Sequence, residues 1–93
     1  TKFEAYLIGP EISLPETDLS GFQLSGVNLS GANLFRCNLT HANLMWSNLS
    51  GANLSETNLS GANLTGAELT GADLTGANLT GAIMPDGSLY EGK

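Results

Sequence analysis

The sequence predicts a solenoid, a chain that turns a corner every few residues and stacks coil upon coil. Three observations carry that reading. Leucine recurs at every fifth position from Leu19 to Leu79 without a slip. Two residues before each leucine stands a small or apolar residue, most often alanine, as at Ala52, Ala62, Ala72 and Ala77. The residue just before it is usually Asn or Asp. Ser or Thr and then, usually, Gly follow it, so the unit reads Ala-Asn-Leu-Ser/Thr-Gly. A period of five fits neither the α-helix at about 3.6 residues nor the extended strand at about 2.0, and Asn and Gly at this density break any long helix. A corner every five residues keeps each leucine on one side. Gly accepts φ > 0 there without steric cost, and Asn, Ser and Thr tolerate turn geometry. Self-similarity at a fixed short period is the mark of a solenoid.

The bulk properties bound what such a chain does. Its 93 residues make one domain, and aromatics are only 6%, so a core of large interlocking side chains is not available. The net charge is -6, with Lys2, Arg36 and Lys93 the only basic residues. That balance argues against nucleic acid, whose phosphates require Lys and Arg, and against anionic membrane surfaces. The lone Cys37 excludes an internal disulfide and any cysteine-rich metal site. No apolar run approaches the ~18–20 residues of a membrane span, and no signal peptide is visible. The expectation is a soluble protein, cytoplasmic or, with a processed N-terminus ahead of Thr1, of the periplasm or thylakoid lumen.

These units resemble the pentapeptide repeat family, whose pattern A-(D/N)-L-x-x covers residues 17–81 here. Such proteins are especially numerous in cyanobacteria. The resemblance implies an all-β fold: a right-handed quadrilateral parallel β-helix with four pentapeptides, twenty residues, per coil. The leucine and the residue two before it then point inward, and the other three point outward. With that period Leu14, Leu34, Leu54 and Leu74 form one interior column, and Leu19, Leu39, Leu59 and Leu79 the next. A third runs through Leu24, Leu44, Leu64 and Met84, and a fourth through Leu29, Leu49, Leu69 and Leu89. Degenerate units at both ends extend the β-helix to residues 12–91, about four coils. Residues 1–11, where Phe3, Tyr6, Leu7 and Ile8 precede Gly9-Pro10, read as a capping segment over the first coil. The larger inward residues Ile12, Thr17, Phe22 and Val27 suit an end coil with one neighbour, and Met84-Pro85-Asp86-Gly87 reads as a terminating turn.

Catalytic chemistry finds no foothold. His41, the one histidine, takes an outward corner position, while Cys37 takes an inward one, so no nucleophile–base pair can be drawn. Gly61, Gly66, Gly71, Gly76 and Gly81 lack the lysine of a phosphate loop, and Glu56, Glu68, Asp73 and Asp86 lack calcium-loop spacing. No catalytic, cofactor-binding or metal residue is assigned, and no small-molecule substrate is implied. The informative departures lie in the second coil, where Phe35-Arg36, His41 and Met45-Trp46 replace the consensus Ser/Thr-Gly. All five should face solvent. Arg36 falls between Glu16 and Glu56 in one column, an ion-pair ladder worth little at a surface. Phe35, Met45 and Trp46 either form, with Arg36 and His41, a candidate contact patch for a partner, or pack along their own flat faces or under the N-terminal segment. The chain therefore reads as a non-enzymatic structural or protein-interaction module whose partner is another protein, as a monomer or a weak end-to-end or face-to-face dimer. The alternative is a DNA-mimicking inhibitor or protector of DNA gyrase, as some relatives are. Those relatives are long acidic rods that dimerise through a C-terminal helical element. Ser88–Lys93 is too short for such a helix, and most outward positions here are Asn, Ser or Thr.

Overall fold

The computed structural model describes residues 8–91. Parallel bridges join residues twenty apart at every unit: Ser13 to Asn33, Asn33 to Asn53 and Asn53 to Asp73 on one side, Asp18 to Asn38, Asn38 to Asn58 and Asn58 to Asn78 on the next. Gln23, Asn43, Asn63 and Ile83 link the third side, and Asn28, Asn48 and Glu68 the fourth. Four sides of five residues close each coil, and coils stack in register. The prism measures 33 × 21 × 21 Å.

In mid-stack a pentapeptide makes its corner by disposing of all five of its backbone N–H groups, as residues 52–56 show. Ala52 N–H donates to Leu49 O at 3.0 Å, closing the turn. Asn53 N–H donates to Ala32 O in the coil before (2.8 Å), and Leu54 N–H to Asp73 O in the coil after (2.8 Å). Ser55 N–H donates to the Asn53 side-chain Oδ1 at 3.0 Å. Glu56 N–H reaches Thr75 O at 2.8 Å. The asparagine is therefore the residue that satisfies the one amide neither the turn nor a neighbouring coil can take, an Asx turn repeated in units that carry Asn or Asp at this position, such as those of Asn33, Asn43, Asn53, Asn63 and Asp73. The corner itself needs φ > 0 at its third residue, the demand of a type II turn. Gly51 (φ 69°) and Gly71 (φ 73°) meet it freely.

The interior holds little but leucine. Leu24, Leu34, Leu39, Leu44, Leu49, Leu54, Leu59 and Leu64 are all 0% exposed, and each such burial contributes roughly 1.5–3 kcal/mol. Alanine beside them keeps the walls close. Where the inward small residue is polar, its hydrogen goes to a carbonyl: Ser47 Oγ to Leu44 O at 2.7 Å, Thr57 Oγ1 to Leu34 O at 2.9 Å. Cys37 Sγ donates to Leu14 O at 2.8 Å. No buried side-chain N or O among the described residues lacks a partner.

The ends depart from the regular pattern. Ile12, Leu14, Phe22 and Val27 are half-buried and pack on the core, as an end coil requires, and Ile8 folds into that core at 9% exposure. The rest of the expected cap, Thr1–Leu7, lies outside the described residues. At the other end the fourth column does not finish at Leu89. After Met84 the chain reverses: Gly87 N–H closes a turn on Met84 O (2.8 Å), and Met84 N–H donates to Ser88 O (2.7 Å). Leu89 pairs antiparallel with Ile83 and stands 60% exposed. Without an alanine or asparagine in register after Ile83, no further corner forms in that direction. Met84 keeps its expected place against the core, half-buried.

Candidate interaction surface of the second coil

The side chains singled out from sequence all sit at or beside corners, so the corner conformation decides where they point. Arg36 (φ 58°), His41 (φ 58°) and Trp46 (φ 61°) hold the left-handed backbone that glycine holds elsewhere in their columns. For residues with a Cβ this costs about 1–2 kcal/mol each, borne by the hydrogen bonds and packing on either side of the corner.

Their side chains run along the columns toward the C-terminal end. The Trp46 indole lies across Gly66, so closely that a Cβ built there would meet Cε3 at 2.1 Å and Cζ3 at 2.3 Å. The His41 ring lies across Gly61 in the same way, 2.6 Å from the position of its missing Cβ. Beneath them Gly21 and Gly26 have nothing within 4 Å of that position. Gly61 and Gly66 thus have a second task besides their φ: their lack of a Cβ gives each ring a flat bed. Trp46 remains 65% exposed.

Phe35 and Arg36 form a separate corner. Arg36 Nε donates to Glu56 Oε1 at 3.0 Å, and Nη1 lies 3.6 Å from Glu16 Oε2. The hydrogen bond to Glu56 and that residue's charge, followed by the hydrogen bond donated to Glu16, push the guanidinium pKa above its ordinary value. The guanidinium carbon also lies 5.5 Å from the centre of the Phe35 ring, within cation–π reach. Arg36 is thus engaged on three sides within its own wall.

The five residues are a belt, not a patch. Phe35 and Met45 are ten residues apart, half of a twenty-residue coil, so they lie at diagonally opposite corners with His41 between. Exposure divides them further: Arg36, His41 and Trp46 are exposed, whereas Phe35 and Met45 are half-buried, nearer the packing alternative than the free contact patch. What the structure brings together is Phe35 with Arg36, Glu16 and Glu56, and, apart from these, Trp46 with Gly66. The glycine beds were missed in the sequence reading. The signal for them was present, since Gly61 and Gly66 follow His41 and Trp46 by one coil.

Cys37 and His41 stay on opposite sides of the wall, the thiol inward at 1% exposure and the imidazole outward. Burial pushes the thiol pKa up, only partly countered by backbone hydrogen bonds. Among the described residues no three His, Cys, Asp or Glu side chains gather as a metal site.

Comparison with known proteins places this architecture. The profile of the family described as pentapeptide repeats matches residues 13–51 and 47–84, in 8 copies. Among solved structures, a pentapeptide repeat protein from Nostoc PCC 7120 is 32% identical over 95% of this chain and 79% of its own, with a TM-score of 0.81. HetL, a pentapeptide repeat protein involved in heterocyst differentiation regulation in the cyanobacterium Nostoc sp. strain PCC 7120, is 40% identical over 87% of this chain, with a TM-score of 0.56. The chain spans only 42% of HetL's length. A pentapeptide repeat protein of the Arabidopsis thaliana thylakoid lumen is 26% identical, covering 98% of this chain and 77% of that one, with a TM-score of 0.53. A plasmid-mediated fluoroquinolone resistance protein, at 22% identity and a TM-score of 0.52, shares the fold alone. Comparison with curated proteins returns no match. Repeat unit, twenty-residue coil and relatives agree: the chain belongs to the pentapeptide repeat family.

Proposed function

We propose that this chain is a non-enzymatic protein-interaction module that engages its partner through the Met45–Trp46 corner. The observation that carries this reading is Trp46 itself, 65% exposed yet with one ring face held down on Gly66. A large apolar group that is already immobilised loses little entropy on binding, and tryptophan is the residue type most enriched in binding hot spots. The surrounding walls of Asn, Ser, Thr and Gly supply a flat polar rim. A non-catalytic role is supported by the wall that separates Cys37 from His41, and by the ion pairs that occupy Arg36. The coil is taken to be right-handed, as in the family's β-helices. No helix among the described residues is long and apolar enough to cross a membrane.

A gyrase-directed role would rest on a continuous acidic surface. Here the one basic residue of the described chain, Arg36, interrupts the Glu16–Glu56 column, and Asp18, Glu68 and Asp73 lie on three different sides. The test compares proteins retained from a lysate by the full chain and by a Trp46→Ala variant that still melts cooperatively and is fully folded at the temperature of the assay. A protein held by the first and lost by the second supports the corner as the site. Equal recovery of every protein refutes it. Unchanged supercoiling by gyrase in the presence of the chain would dispose of the alternative.

A further inference from the structure

The Phe35–Arg36 corner shows how this solenoid holds a cation. The guanidinium lies 5.5 Å from the centre of an aromatic ring and donates to a carboxylate one coil beyond, Glu56 Oε1 at 3.0 Å. The diagonally opposite corner of the same coil repeats that frame without the cation. Trp46 supplies a larger aromatic ring, 65% exposed and with one face held on Gly66. Carboxylates again stand on the coils beyond. Glu68 bridges to Asn48, two residues past Trp46, so it shares a coil with the glycine under the indole. Gly66 N–H donates to Pro85 O at 2.8 Å, which brings Asp86 to the next level of the same corner. Both acidic side chains are exposed. Glu68 accepts the Thr70 hydroxyl through Oε2, and Asp86 the Ser88 amide and hydroxyl through Oδ1. Arg36, the one basic side chain among residues 8–91, is already bound at the far corner.

We infer that this corner takes its cation from the partner: it recognises an arginine-bearing segment of another protein, the guanidinium stacked on the Trp46 indole and bonded to Glu68 or Asp86. The inference rests on the reading of the Trp46 corner as the contact site and names the chemistry of what docks there. Tryptophan is the strongest of the aromatic side chains in attracting a cation. Guanidinium suits the frame better than ammonium, because it is weakly hydrated, stacks flat on a ring and presents a fork of donors to a carboxylate. The net charge of -6 draws a basic segment toward the chain and repels an acidic one. A sugar would also stack on the indole, but it would have no use for the two carboxylates.

Trp46 is the only tryptophan, so intrinsic fluorescence reports on this corner alone. The probes are a short peptide of alternating Arg and Gly, its counterpart with Glu for Arg, and a cello-oligosaccharide. The expected result is a saturable change with the Arg-Gly peptide only, fading as salt is added. Glu68→Gln should weaken that binding about twofold to fivefold. Asp73→Asn, which removes the same charge from another side, should leave it nearly unchanged. Trp46→Leu, followed by calorimetry, should weaken it about twofold to fivefold. Equal weakening by Glu68→Gln and Asp73→Asn overturns the proposal, because net charge alone would then explain the binding. So does binding unchanged in Trp46→Leu, equal binding of the Glu-Gly peptide, a response to the oligosaccharide instead, or no response to any probe. Quenching of the unsubstituted chain gives an independent reading: the ratio of caesium to iodide quenching should exceed that of N-acetyltryptophanamide, and a ratio at or below it also overturns the proposal. The lysate comparison separates this inference from the reading beneath it. A protein lost with Trp46→Ala yet held by Glu68→Lys keeps the corner as a site and overturns its arginine partner, whereas equal recovery with Trp46→Ala removes the corner itself.

Discussion

Gly26 and Gly66 occupy the same corner column with nearly the same backbone, φ +74° and +71°, and alanine at each should have very different consequences. At Gly26 nothing lies within 4 Å of the new Cβ, so the variant reports the left-handed backbone alone, about 1–2 kcal/mol. At Gly66 the Cβ would fall 2.1 Å from Trp46 Cε3, and the indole must lift off. Since Trp46 is 65% exposed, roughly a third of its surface is covered. A third of the ~150–250 Å² an aromatic side chain buries, at ~25 cal/mol per Å², is about 1–2 kcal/mol. Gly66→Ala should therefore destabilise by about 2–4 kcal/mol in all, and melt roughly 5–15 °C below Gly26→Ala in a domain of this size. In a Trp46→Ala background the excess should vanish, leaving a coupling energy of about 1–2 kcal/mol in the double-mutant cycle. The assay is guanidinium unfolding followed by circular dichroism. Equal destabilisation at the two glycines, or a cycle that closes with no coupling, would refute the contact between ring and glycine.

The same structure supports three further expectations. Leu54→Asp places an unpaired charge at a fully buried position in mid-stack and should abolish cooperative folding; Thr65→Ala, half-buried with its hydroxyl bonded only to Asn63 Oδ1, should cost well under that, and a melt that ranks them the other way reverses inside and outside. Asn53→Ala removes the acceptor for both the Ser55 amide and its hydroxyl and should cost about 1–3 kcal/mol, with Asn53→Asp recovering most of it because the carboxylate keeps the acceptor, as Asp73 does for the Thr75 amide. Asp73 and Asp86 are held below the usual aspartate range chiefly by the hydroxyls of Thr75 and Ser88, then by their amides. A carboxylate lowered on folding stabilises above its unfolded pKa of about 3.9 and loses that contribution as pH falls through the lower folded value. Melting temperature should thus drop below about pH 4, and the drop should shrink in Asp73→Asn/Asp86→Asn; an identical acid limb in the variant would show that these turns are not its source.

Much of this protein was legible in its sequence because each unit carries its own instructions. Leu, Ala, Asn and Gly at fixed offsets set the interior, the wall, the Asx turn and the left-handed corner within five residues, and a period of twenty then gives the columns. Arg36 between Glu16 and Glu56, Cys37 inward and His41 outward all follow from that arithmetic. The tertiary structure decided what arithmetic cannot. Whether a ring at a corner stands free or lies down depends on the residue one coil above, which is why Trp46 rests on Gly66 and the five candidate residues divide between opposite corners. Where the stack stops depends on competition between one more corner and a reversal. At Met84–Ser88 the reversal wins, because Asp86-Gly87 satisfies a tight turn locally, turning Leu89 from an expected core residue into an exposed one. Local hydrogen bonding is written in the chain, but contacts between coils exist only once the coils have met.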